Sequence, residues 1–352
     1  MDNHLSPYLD REKQGTDHRC SVFLFMNVKN SSSVLLIVGN KERKMKEKVA
    51  GLIITTGRGR EAKAFDPLKK LGKITVLKRI VLTYQRANIS PIVVVTGEQA
   101  EEVERDLSGY GVVFLRNEQY ATSTMFDSAK IGFEYLDGKC DRVLFTKLDV
   151  PLLKTDTIYK ILSQKGIAIS PVYEGKTGHP LNLHKSLIPQ LLNYHGEEGM
   201  RGFLHSLEQG RVWVEVKDSG IIKSTEELEE DEKSIEQHSR QMLHPYVRIS
   251  IEKETMFFNE RARLLLQLIA ETNSVRKACS QMAMSYSKAW NLLNEMEQQL
   301  GFTVVKRRHG GRDGGKTELS EEGKKFLSQY IQFEERLKQF ADSEFKRLFP
   351  MI

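Results

Sequence analysis

The densest group of side chains able to do chemistry is a run of cations on a glycine-rich stretch. Lys306, Arg307, Arg308, Arg312 and Lys316 stand against one acid, Asp313, and Gly310, Gly311, Gly314 and Gly315 leave the segment unstiffened. A flexible cationic hairpin of this kind suits contact with phosphates. A second cationic group, Arg58, Arg60 and Lys63, lies on a polar, glycine-bearing segment running from Gly57 to Lys70. Basic residues on such a loop either reach an anion or form a solvated charged surface, and both readings stay open.

The elements that must carry the first group read as a helix-turn-helix with a wing. Ser274 is a good N-cap ahead of Val275 to Met282, and Ser285 is a second N-cap a few residues on. Tyr286, Ala289, Trp290, Leu293, Met296 and Leu300 recur at helical spacing, which predicts one apolar face, and Gly301 is placed to end the helix. Two helices joined by so short a turn are the DNA-reading unit, with the second as reader. Ser285, Tyr286, Ser287 and Lys288 then lie at the end where base contacts arise. Phe302 to Val305 and Thr317 to Leu319 predict the two strands of the wing. Beyond it, Phe326, Tyr330, Phe333, Leu337 and Phe340 are spaced 4, 3, 4 and 3 along one long helix, Glu321 to Phe349. That is a coiled-coil seam, expected to join two copies because winged readers bind paired half-sites. Double-stranded DNA and a second copy of the chain are the expected macromolecular partners.

The second group sits in a different pattern. Val49 to Ile54, Pro91 to Thr96, Val112 to Leu115 and Arg142 to Thr146 read as strands. Val76 to Ala87, Gln99 to Leu107 and Met125 to Tyr135 read as helices between them. Alternation of this kind predicts an α/β domain with a mostly parallel sheet covered on both faces. Sites in such sheets lie at the carboxyl ends of strands, here Thr55 to Lys70 and Lys147 to Pro151. The expected organisation is a leader over 1–44, an α/β domain over 45–230, a charged linker over 231–245 and an α+β winged helix-turn-helix domain over 246–352, with a C-terminal dimerisation helix.

Composition sets limits on these readings. A chain of 352 residues exceeds the usual single domain, and 39% hydrophobic with 28% charged residues describes an ordinary globular protein. The net charge of +6 is mild, so nucleic-acid binding must rest on local patches. Three widely separated cysteines, Cys20, Cys140 and Cys279, fit a reducing cytoplasm and no zinc site. No apolar run approaches a membrane span. Lys41-Glu42-Arg43 can be encoded by a purine-rich ribosome-binding sequence shortly before Met45, so residues 1–44 are expected to be translated leader; the other reading is a native flexible arm.

Two resemblances attach to these residues. The segment from Val247 to Phe349 resembles the winged-helix domain of molybdate-dependent ModE-type regulators, itself akin to the LysR-type domain. The similarity runs through Ser274 to Cys279, Ser285-Tyr286-Ser287-Lys288-Ala289-Trp290, Glu297 to Gly301, Gly314-Gly315 and Leu319 to Gly323. It implies a dimeric transcriptional regulator. Val49 to Glu230 resembles the MobA-like molybdenum-cofactor nucleotidyltransferases, most closely those that transfer cytidylyl groups. That similarity runs through Gly51 to Gly57, Pro91 to Gly97, Asp149 to Leu152, Gly178-His179-Pro180, Gly196 to Arg201 and Asp218 to Ile221.

The second resemblance implies a Rossmann-like transferase fold that joins CTP or GTP to a molybdenum pterin cofactor with magnesium. It implies ligand contacts at Thr55, Thr56, Gly57, His179 and Arg201, beside which Arg58, Arg60 and Lys63 are the nearby cations that would compensate for lost charge. It further implies a catalytic and metal-binding role for Asp149; Glu226, two residues beyond the position of the second metal aspartate, is the candidate second metal ligand. The departures bear on function. Glu61 and Asp66 stand where the resemblance expects an arginine and a lysine, and Ser224 where it expects the second metal aspartate. Carboxylates at both cationic positions would repel a triphosphate. The expected function is therefore a DNA-binding regulator tied to molybdenum cofactor metabolism, whose degenerate transferase-like domain senses a nucleotide or pterin. The alternatives are a working cytidylyl- or guanylyltransferase with an appended regulatory domain, and a partner-binding scaffold.

Overall fold

The computed structural model describes residues 21–24, 47–56, 66–207, 209–228, 231–308 and 316–350. The α/β region contains β1 (Val49–Ile54), α1 (Val76–Arg86), β2 (Ile92–Thr96), α2 (Ala100–Asp106), β3 (Val112–Arg116), α3 (Met125–Leu136) and β4 (Arg142–Lys147). It continues through α4 (Thr155–Leu162), β5 (Ala168–Tyr173), β6 (Leu181–His184) and β7 (Arg211–Glu215). The strands lie in the order β7-β5-β6-β4-β1-β2-β3, and a short strand, Lys176–Thr177, pairs with β5. All pairings along β4-β1-β2-β3 are parallel, as is β5 with β7. Only β6 runs against its two neighbours, apart from the Lys176–Thr177 annex. The mostly parallel sheet is the one the alternation predicts. Its central strands read as unbroken apolar runs because both faces are covered: all five residues of β2 are buried, as are five of the six in β1.

The charged stretch expected as a linker instead carries a helix, α5 (Glu232–Gln241), docked on the α/β region. Its anchor is a buried polar knot. Arg79, 1% exposed, donates from Nε and Nη2 to the Leu71 carbonyl at 3.0 and 2.6 Å, and from Nη2 to Ser239 Oγ at 3.2 Å. Arg79 Nη1 also donates to His238 Nδ1 at 3.3 Å. With Nδ1 accepting, His238 carries its proton on Nε2 and donates it to the Leu153 carbonyl at 2.9 Å. Burial, with the positive charge of Arg79 a smaller cause, pushes His238 down to about 4.

The C-terminal region contains α6 (Glu260–Thr272), α7 (Val275–Gln281), α8 (Tyr286–Leu300), the wing strands β8 (Val305–Arg308) and β9 (Lys316–Leu319), and α9 (Glu321–Leu348). In the long helix α9, most of the expected seam packs inside its own domain. Tyr330 is buried and donates to the Ile249 carbonyl, and Phe258 meets both Phe326 and Tyr330 edge-on at 4.9 and 4.7 Å. Phe333 and Leu337 join the same core, leaving only Phe340 of the five exposed, at 55%. A heptad stripe reports an apolar face without saying what covers it, and here the domain's own core takes most of it.

Helix α7 packs against β3, the last strand of the sheet, and one continuous buried cluster runs from Val113 to Leu264 and Met282. Within the stretch read as leader, Ser21–Leu24 pair in parallel with Tyr246–Ile249. Among the described residues no helix is long and apolar enough to cross a membrane.

The knot at His238 gives a signed expectation. An unfolded histidine takes up its proton near pH 6.5, whereas the folded one does so only near pH 4. Between those values the unfolded chain binds more protons, so stability falls as pH falls, by up to about 1.4 kcal/mol per pH unit for this residue. Urea unfolding followed from pH 7 to pH 4 should show a slope that includes this share, and His238→Gln should reduce it by up to that amount.

Candidate functional site

The carboxyl ends of β1, β2 and β4 meet at one edge of the sheet. Ile54 pairs with both Val95 and Lys147, so Thr55 and Thr56 leave β1 between the ends of its two neighbours. Thr55 is tied there by its amide and hydroxyl, both donating to the Val95 carbonyl at 3.0 Å. Gly97 lets the chain turn close by, since a Cβ at that position would lie 2.7 Å from the Cβ atoms of both Thr56 and Tyr120. Asn117 closes the same edge: its amide donates to the Thr96 carbonyl, and its side-chain amide to Ser123 Oγ and Ser128 Oγ at 2.7 and 2.9 Å. Tyr120, Ser123 and Asn117 were not expected from the sequence, because nothing about their spacing marks them before the turn is known.

Asp149 follows β4 into this edge. Its Oδ2 accepts from Lys147 Nζ at 3.0 Å, with the two side chains 36% and 34% exposed. Its Oδ1 is buried and has no hydrogen-bond partner among the described residues. His179 stands beside the pair, with Nδ1 3.5 Å from the Phe145 carbonyl. Burial, then the positive charge of Lys147, pushes its imidazole down to about 4, with Asp149 opposing. The ring is therefore neutral at pH 7 and positioned to exchange hydrogen bonds rather than to carry charge. The loop holding it is stitched down by Gly178 N–H to the Pro171 carbonyl and His179 N–H to the Ile221 carbonyl. The partnership of Lys147 with Asp149 was missed in the sequence. The signal was present in their separation of only two residues, across the turn that follows the strand.

The remaining expected contacts are less convergent. Arg201 is exposed on the short helix Gly199–His205, whose Gly199 lies against Phe126 in the first turn of α3. Asp66 Oδ1 accepts from the Leu68 amide at 2.8 Å, so this carboxylate shapes its own turn. Gly57, Arg58, Arg60, Glu61 and Lys63 lie outside the described residues. Ser224 and Glu227 cap the short helix Thr225–Leu228 reciprocally, Ser224 N–H donating to Glu227 and Glu227 N–H to Ser224 Oγ. Glu226 next to them is exposed. Asp218, 1% exposed, accepts from the amides of Lys154 and Gly220 and from Thr157 Oγ1, which makes it a structural lock. Among the described residues no three His, Cys, Asp or Glu side chains converge as a metal cage. A divalent ion at Asp149 would meet a carboxylate already paired with the Lys147 ammonium, so among the described residues the donors as they stand do not fit one.

The second candidate surface is the face of α8 and its wing. Ser274 Oγ caps α7 at Lys277 N, and Ser285 Oγ caps α8 at Lys288 N. Ala289, Leu293 and Met296 are buried, whereas Ser285, Tyr286, Ser287 and Lys288 are exposed. Tyr286, expected on the apolar face, is instead 50% exposed and stands edge-on to Trp290, with the Arg276 guanidinium 6.0 Å from its ring. It sits at the start of the helix, where no facing element covers it.

The wing is anchored at three points, two of them on this helix. Glu297 Oε1 accepts from the amides of Val304 and Val305 at 2.8 and 3.1 Å. Thr317 N–H donates to the Asn273 carbonyl in the turn between α6 and α7. Arg307, expected as a phosphate contact, lies 4.0 Å over the Trp290 ring and reaches Asn294 Oδ1 at 3.4 Å, so part of its work is to hold the wing on the reader. Lys306 and Lys316 are exposed. Arg308 lies on β8 opposite Lys316 in register, and Arg312 lies outside the described residues.

The two surfaces are physically joined. Thr124 and Asp127 form a capping box at the start of α3, next to the Asn117–Ser123 edge. At the far end of the same helix Tyr135 OH donates to Glu271 Oε2 at 2.9 Å, and Lys139 Nζ, just beyond it, pairs with the same oxygen at 3.0 Å. Glu271 is two residues before Asn273, which holds the wing.

Comparison with known proteins agrees with this division. Residues 51–212 match the family model of the MobA-like NTP transferase domain, and residues 262–324 that of the bacterial regulatory helix-turn-helix protein, lysR family. The DNA-binding transcriptional dual regulator ModE of Escherichia coli is 31% identical over 78 residues, 22% of this chain and 30% of that protein. The molybdenum transport protein ModE of Azotobacter vinelandii is 30% identical over 84 residues, 24% of this chain and 31% of that protein. The chain thus spans less than a third of the length of these curated relatives. A solved nucleotidyl transferase from Methanothermobacter is 19% identical, with a TM-score of 0.46, over 55% of this chain and 98% of that one.

Proposed function

We propose that this protein is a cytoplasmic, DNA-binding transcriptional regulator linked to molybdenum cofactor metabolism, and that its transferase-like domain senses a ligand rather than transferring a nucleotide. The observation that carries the reading is helix α3. One end lies beside the candidate ligand edge, and the other is bonded to Glu271, next to the turn that holds the reader and wing. A ligand that moves α3 therefore acts on the DNA-reading unit through direct contact. The ligand class is a phosphorylated nucleotide or molybdenum pterin, after the chemistry of the transferases the domain is similar to. Homodimerisation belongs to the same proposal, since winged readers use paired half-sites. The exposed Phe340, Leu348 and Phe349 of the C-terminal segment are the apolar surface it would use.

The working-transferase reading is favoured by one observation, the orphaned oxygen of Asp149. Against it stand Glu61 and Asp66 at the two cationic positions and the reciprocal cap that occupies Ser224.

Lys288 and Lys306 separate base reading from phosphate contact. Lys288→Ala should weaken binding to a specific operator more than to random duplex. Lys306→Ala should weaken both alike and reduce the salt dependence by about one unit of slope, read by fluorescence anisotropy over a salt series. Equal weakening by both substitutions would remove the distinction between the two surfaces.

For the sensor reading, the assay is pyrophosphate release from CTP or GTP with magnesium and the pterin cofactor. None should be detected with the unaltered protein, and release that disappears in Asp149→Asn would establish the transferase instead. Glu61→Arg with Asp66→Lys should raise triphosphate affinity, and the gain should shrink at high salt.

A further inference from the structure

We propose that Lys147 is a built-in replacement for the divalent cation at Asp149, so that this edge binds a phosphorylated ligand without metal. The inference rests on the reading of this edge as a ligand site. Three observations support it. The ammonium sits 3.0 Å from Asp149 Oδ2, at the end of β4 where the chain enters the edge. Among the described residues no metal cage forms with Asp149: Glu227 is held in a helix cap and Glu226 is exposed on the same short helix. Finally, Lys147 is about one-third exposed. An ammonium has three N–H donors, and one is used on Asp149.

The physical argument is one of charge. A divalent ion approaching Asp149 meets a fixed positive charge already bound to the carboxylate it needs. It must either displace that ammonium or remain beside it, and like charges at contact distance repel strongly in a partly dry site. A phosphate meets the opposite situation. The ammonium offers it charge and hydrogen bonds. Asp149 then positions Lys147 instead of holding a metal. Lysine serves well as a point-charge phosphate ligand.

The test is a manganese titration of the full chain without nucleotide, following free aquo-manganese by electron paramagnetic resonance. The unaltered protein and Asp149→Asn should give the same curve. Lys147→Met should gain a site at least tenfold tighter than any in the unaltered protein, and adding Asp149→Asn should abolish it. Lys147→Arg, which keeps the charge, should not gain it. Asp149-dependent manganese binding in the unaltered protein would overturn the proposal, as would failure of Lys147→Met to gain a site while remaining folded by circular dichroism. Inorganic pyrophosphate is the ligand probe. It should bind equally in EDTA and in magnesium, and at least tenfold more weakly to Lys147→Met in EDTA. A requirement for magnesium would also overturn the proposal. If pyrophosphate binds under neither condition, the ligand-site reading fails, while the manganese result is decided separately.

Discussion

A parallel sheet ends in a strand whose outer side has no partner, and in this protein that strand is β3, against which helix α7 of the winged domain packs. Exposed edges of this kind invite unwanted pairing, and proteins cover them. Here the cover is itself part of the helix-turn-helix unit. The consequence is a shared apolar core, with Val113 on one side and Leu264 and Met282 on the other. Packed cores have few intermediate arrangements, so a displacement at β3 or α3 is felt at α6 and α7. The second bond between the regions, α3 to Glu271, falls close to the turn that also anchors the wing through Asn273.

The same arrangement explains why polar residues appear where a sequence would be read as surface. Residues 231–245 are highly charged, yet α5 is fastened by a buried arginine and a buried neutral histidine. Asp218, in a segment shared with the transferases by resemblance, holds three donors in a buried position and has none to spare for a ligand. Asp149 differs from it in keeping one oxygen unpartnered and the other on a lysine. The candidate site is thus distinguished from its surroundings by what its carboxylate lacks.

Much of the fold was legible because local signals and tertiary packing agree. The apolar runs at Val49–Ile54 and Ile92–Thr96 can only be buried strands, and Ser274, Ser285 and Gly301 mark helix ends that the structure uses as caps. Partnership was not legible. Phe326 and Tyr330 form a correct helical stripe, but spacing does not reveal that Phe258 covers it. Nor does the sequence say that β6 runs antiparallel, since its four residues carry no direction. In the candidate site, Asp149 and His179 were recognisable by resemblance, whereas Asn117 and Tyr120 come beside Thr96 and Gly97 only once β2 and β3 are side by side. Arg307 was readable as a cation but not as the residue that clasps Trp290.

The central claim is that the ligand edge and the DNA reader share one equilibrium. Linkage makes this measurable, because a ligand that changes DNA affinity must have its own affinity changed by DNA to the same degree. The most direct measurement is the dissociation constant of the full chain for its operator, with and without saturating CTP, GTP or molybdenum pterin, repeated for Glu271→Gln. The account predicts a change of at least fivefold with one of these ligands in the unaltered protein, and its reduction in Glu271→Gln, which weakens the bond from Tyr135 and Lys139. Tight binding of one of these ligands with no change in operator affinity would contradict it.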